Sequence, residues 1–327
     1  MAQTGKLIRS AIFIYLSLVV LSCNQNNRSR TEVFLKPSPV FNEDSAYKFV
    51  ANQVAFGPRV PQSAAHSSCG NFLVQSLSRF GFSVVEQEDS VYGYDGRLLP
   101  LRNIIGSTNP KNPKRILLGA HWDTRPYADR DDTLQTVPFS GANDGASGVG
   151  VLLEVARAIS SNKSDIGIDI VFFDLEDQGM PEYEIRTANQ EHFFCLGSRY
   201  WSSNLGAYSA EYGIILDMVG ASGATFTMES TSRKYAEPIV KMVWDVANKL
   251  GYNDYFKYNK TPSVIDDHTY INEIAAIPCI DIIHFDASTP TRFWKAWHTH
   301  QDNMESIDRK TLKAVGQTVL QTIYNHE

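Results

Sequence analysis

Three short apolar runs in this chain each end abruptly in a carboxylate or an imidazole. Arg115–Ala120 (RILLGA) passes directly into His121-Trp122-Asp123. Asp169–Asp174 (DIVFFD) leads into Leu175-Glu176-Asp177, and Gly213–Leu216 (GIIL) into Asp217. A brief, nearly uninterrupted apolar run is the pattern of a strand buried on both faces, as in a parallel sheet covered by helices. In such sheets ligands bind just beyond the carboxyl ends of the strands. Several strands delivering acids and imidazole to one edge therefore predict a site there. Ser140–Gly148 (SGANDGASG) adds Asp144 shortly before a helix-patterned segment, and two later loops add Asp266-Asp267-His268 and Trp297-His298-Thr299. Each motif alone has a plainer reading. Asp144 could merely cap a helix, and Glu176-Asp177 could be a solvated turn. Asp217 is harder to dismiss, because a carboxylate beside a core needs a partner.

The remaining pattern fits the same architecture. Phe82–Val85, Asn103–Ile105 and Ile277–Ile283 read as further strands. Ala46–Val54, Cys69–Phe80, Val151–Ile159, Tyr235–Leu250 and Thr311–Tyr324 carry apolar residues at helical spacing. Strands alternating with helices predict an α/β fold, a single domain whose central mixed, mostly parallel β-sheet is flanked by helices. No repeat or Ser/Gly linker interrupts it. Hydrophobic residues make up 43% of the 327, enough for a substantial core and too many for disorder. A formal net charge of −6 argues against a nucleic-acid partner.

The first residues read as an address. Lys6 and Arg9 precede the uncharged run Ala11–Val20, which is short for a membrane span and suits a signal peptide. It ends at Leu21-Ser22-Cys23, which resembles a bacterial lipoprotein box. The resemblance implies removal of residues 1–22 and diacylation of Cys23. The polar stretch that follows, with Pro37 and Pro39, reads as a lipid-anchored tether over 23–42, ahead of the catalytic domain expected over 43–327. Acyl chains of that kind hold a protein stably on a membrane. The expected location is exported and lipid-anchored, periplasmic or surface-facing. Asn24 in place of Asp favours the outer membrane. Three cysteines then remain, Cys69, Cys195 and Cys279, so at most one internal disulfide could form.

In order, HWDT, GANDGASG, FFDLED, LDMVGA, IDDH and WHT resemble the co-catalytic zinc aminopeptidase superfamily, and within it the glutaminyl-peptide cyclotransferases. The match spans about Ala46 to Tyr324. The resemblance implies one Zn²⁺ held by Asp144, Asp177 and His298, with Asp177 standing where the family often has Glu. It makes Glu176 the general acid/base, with Asp266 and Asp217 as acids interacting with it. It lines a substrate pocket with Trp297, Phe293, Ile265 and His268. A second pocket tryptophan found in animal enzymes has no clear counterpart; Phe193, Phe194 or Trp201 are the candidates to replace it. The implied reaction turns the N-terminal glutamine of a peptide or protein into pyroglutamate, releasing ammonia.

Two other readings compete. A zinc aminopeptidase would use a second metal at His121 and Asp217, and Glu176 would activate water. The WHT and DDH motifs favour the cyclase. A surface lipoprotein that only binds peptide or metal would have no need of a free Glu176 beside the ligands.

Overall fold

The computed structural model describes residues 34–185 and 193–326. The signal segment, Cys23 and His192 lie outside the described residues. From Leu35 onward the chain forms one compact unit. Its centre is a six-stranded mixed sheet built from β1 (Ser83–Tyr92), β2 (Leu98–Ser107), β3 (Arg115–His121), β4 (Gly167–Phe173), β5 (Tyr212–Asp217) and β8 (Cys279–Ile283). Their spatial order is β1-β2-β4-β3-β5-β8. The four strands β4, β3, β5 and β8 run parallel, while β1 and β2 pair antiparallel at one edge. Every residue of β3, β4, β5 and β8 is buried.

Helices cover the sheet: α1 (Glu43–Val54), α2 (Ala64–Arg79), α3 (Ala146–Ser161), α4 (Leu196–Ser203), α5 (Ser230–Lys249), α6 (Asp267–Glu273) and α7 (Arg309–His326). A small parallel pair, β6 (Phe226–Met228) and β7 (Phe256–Lys260), stands apart from the main sheet. Among the described residues no helix is long and apolar enough to cross a membrane.

The edge hairpin is longer than the apolar runs predict. It pairs from Ser83↔Ser107 to Tyr92↔Leu98. As an edge strand, β1 is mostly exposed, with no buried residue, and carries Glu86, Glu88 and Asp89, which interrupt any hydrophobic run. Helices α4 and α6, at 8 and 7 residues, are too short to display a period.

The expected tether is partly structure. Phe41 is fully buried in the core. Gln317 and Gln321 of α7 bond the backbone of Lys36, Pro39 and Phe41. The folded unit thus begins earlier than residue 43, because Phe41 needs a pocket and α7 supplies one. That pocket exists because residue 316 is glycine: a Cβ there would lie 2.1 Å from the Phe41 ring. Cys69, Cys195 and Cys279 are all free and buried.

Candidate active site and metal centre

The carboxyl ends of β3, β4 and β5 meet at one edge of the sheet, where a cavity of about 440 Å³ opens. Asp144, Glu176, Asp177, Asp217, Asp266 and His298 all line it. These side chains converge from five separate segments. Asp144 sits just ahead of α3, whose N-cap residue Gly145 packs on His121. A Cβ at 145 would lie 2.5 Å from the His121 ring, so only glycine lets the helix start approach this closely. The Asp144–Gly145 peptide is cis.

Asp144, Asp177 and His298 form one cluster of potential metal ligands. His298 Nε2 lies 3.2 Å from Asp177 Oδ2 and 3.7 Å from Asp144 Oδ2. Both carboxylate oxygens are buried and accept no hydrogen bond. Two donors about 2.1 Å from one tetrahedral ion stand roughly 3.4 Å apart, so this set fits a zinc ion with an open fourth position. The other side of the imidazole is also occupied: His298 Nδ1 faces Asp129 Oδ1 at 3.2 Å. Arg125 grips Asp129 through Nε (3.0 Å) and Nη2 (2.6 Å).

A second cluster joins His121, Asp144 and Asp217. His121 Nε2 is 3.0 Å from Asp144 Oδ1 and 3.3 Å from Asp217 Oδ1. Burial opposes charge on His121, but the carboxylates of Asp123, Asp144 and Asp217 outweigh it and raise its pKa well above the usual imidazole range. Burial pushes the Asp217 carboxyl up to about 7.

Glu176 forms a third group with Asp266 and Cys195, whose thiol lies 3.3 Å from Glu176 Oε1. The Glu176 residue keeps part of its surface open to the cavity. Burial of its carboxyl, helped by the charges of Asp177 and Asp266, raises its pKa well above the ordinary carboxylate range. The acidic pair is aimed from behind. Asp123 accepts the backbone N–H of Glu176 (3.0 Å) and of Asp177 (3.3 Å). Of the three interacting acids expected, Asp266 groups directly with Glu176, while Asp217 is the partner of His121.

The cavity walls are aromatic and aliphatic. Trp297 and Phe293 pack at 4.6 Å between ring centroids, and Ile265 lines the mouth, 59% exposed. Among the candidates for the missing tryptophan, Phe194 lines the cavity; Trp201 is buried against Phe173 and Tyr208 instead. One expectation is corrected. His268 does not line the pocket: it is fully buried beneath Asp266, between Glu229 (3.2 Å) and Asp281 (3.7 Å). It is the second residue of α6, two positions after the cap residue Asp266, and that first turn directs it into the interior.

Several residues of this site carry no motif. Asp302 accepts the backbone N–H groups of Asn143 (2.7 Å) and Asp144 (3.1 Å). Asp281 was detectable in principle, as a charge inside an otherwise apolar strand. Arg125 and Asp129 stand in a loop with no period to reveal them.

Comparison with known proteins adds lineage to this geometry. The model of Peptidase family M28 matches residues 103–323. Aminopeptidase YwaD of Bacillus subtilis is 30% identical over 238 residues, 68% of this chain; the chain spans 44% of that relative's length. The glutaminyl-peptide cyclotransferase of Bos taurus is 24% identical over 290 residues, 78% of this chain and 74% of the relative. A glutaminyl cyclase of Bacteroides thetaiotaomicron, solved bound to N-acetylhistamine, superposes with a TM-score of 0.87 at 49% identity, over 89% of this chain and 100% of that one.

Proposed function

The chain belongs to peptidase family M28, and from that premise we propose that it is a zinc-assisted glutaminyl-peptide cyclotransferase. The observation that carries this reading is Glu176: a free carboxyl of raised proton affinity, set beside a three-ligand zinc site in an aromatic-walled cavity. Asp144, Asp177 and His298 would hold the ion. When bound, zinc supplies Lewis acidity toward the γ-carboxamide oxygen of the substrate glutamine. Glu176 takes a proton from the α-amine as the amine nitrogen bonds to the carbonyl carbon of the γ-carboxamide. It returns that proton to the departing amide nitrogen, which leaves as ammonia. Asp266, packed against Glu176, favours the protonated half of that cycle by its charge. The reaction consumes no water, which suits walls made of Trp297, Phe293, Phe194 and Ile265.

A second reading, a zinc aminopeptidase, rests on a specific observation: the His121, Asp144 and Asp217 group could hold a second ion. One experiment separates the two. Ammonia release from a Gln-initiated peptide with one zinc per chain is the expected result. Cleavage of leucine amide with two zincs per chain would overturn it.

The segment ahead of the folded unit supports a location. With Ser22-Cys23 ending an apolar run, we infer export and lipid attachment at Cys23, on the outer membrane. Cys23→Ala should move the protein from the membrane to the soluble fraction; unchanged membrane association would refute lipidation.

A further inference from the structure

We propose that Arg125 is a positioning residue that sets the zinc affinity of the site by locking two of its ligands with one guanidinium. The inference rests on the zinc-ligand reading above. Arg125 is 1% exposed, so each of its N–H groups must find a protein acceptor. Its Nε and Nη2 fork onto the two oxygens of Asp129, at 3.0 and 2.6 Å. Asp129 in turn faces His298 Nδ1. That contact holds the ring so that Nε2 points toward Asp144 and Asp177. The other branch acts on Asp177 itself. Nη1 bonds Asp177 Oδ1 at 3.1 Å, which leaves Oδ2 as the oxygen turned toward His298. Nη1 also reaches the Asp177 and Gly179 carbonyls, and Nη2 the Met180 carbonyl, so the loop after the acidic pair is pinned as well. The Phe194 ring lies 5.5 Å from the guanidinium carbon.

Two ligands from loops about 120 residues apart in sequence are thus fixed relative to each other before any ion arrives. A lysine has no planar fork and could satisfy only one branch. Loss of such an outer partner typically weakens metal binding about 10–100-fold.

The test is zinc affinity by chelator competition on the whole folded chain. Arg125→Lys and the isosteric Asp129→Asn should each weaken zinc about 10–100-fold. The metal-free Asp129→Asn protein should melt earlier than the metal-free parent, because the buried guanidinium loses a charged partner, so zinc affinity is compared at a temperature where both are folded. Because the two residues act as one unit, the double variant should bind zinc no more weakly than the weaker single one. Wild-type affinity in Asp129→Asn, or additive losses in the double variant, would overturn the proposal. Should Arg125→Lys fail to fold, Asp129→Asn still decides. A parent protein that takes up no zinc would instead sink the zinc reading, and is a separate outcome.

Discussion

Glu176 shows how much one side chain can decide. Its backbone N–H is tied to Asp123, its carboxyl borders Cys195, and its charge is disfavoured by burial. Glu176→Gln preserves the shape and removes the proton exchange. Turnover of a Gln-initiated peptide should fall at least about 100-fold, the usual weight of a general acid/base, while zinc content stays at the parental level. Near-normal activity would mean another group moves the proton. Asp144, Glu176, Asp177 and Asp217 stand out in the bare sequence because each follows an apolar run or precedes a helix, and position in the chain announces the sheet edge. Arg125, Asp129 and Asp302 do not, because their partners lie far along the chain: Asp129 faces a histidine 169 residues away. His268 misled for a related reason. Its motif places it beside Asp266, but the start of α6 turns it inward.

At the scale of elements, the parallel core was readable because two-sided burial leaves uninterrupted apolar runs in β3, β4, β5 and β8. The edge hairpin was readable only in fragments, since its exposed face mixes charge into the strand. The junction between β3 and α3 is a close fit beside the site. Gly145 faces both the ring and the carbonyl of His121, the latter 2.4 Å from where a Cβ would lie. Gly145→Ala must therefore push the helix start away, carrying Asp144 with it. Overpacking of this kind costs about 1–3 kcal/mol, so the variant should melt earlier. It should also lose zinc in dialysis, because Asp144 is drawn off its partners. A parental melting curve and a full zinc complement would show that the helix start yields without cost.

For the whole molecule, the structured segment ahead of α1 is as much part of the fold as any helix. Phe41 fills a notch on α7, and its neighbours are bonded by Gln317 and Gln321. Phe41→Ala should destabilise the unit by about 3–5 kcal/mol, read from denaturant unfolding. A loss below 1 kcal/mol would mean that the segment is only laid on the surface.

The buried thiols give the protein an internal clock. Burial raises the Cys69 thiol to about 12 and those of Cys195 and Cys279 well above their ordinary value, so all three stay protonated at neutral pH. A protonated, enclosed thiol cannot attack an alkylating reagent. Each can be labelled only when its surroundings open, and each sits in a different layer: Cys69 on α2, Cys279 in β8, Cys195 against the acid of the site. Labelling rates read cysteine by cysteine would then time the opening of three regions separately. Zinc should slow Cys195 most, since of the three thiols only that one touches Glu176, the neighbour in sequence of the ligand Asp177.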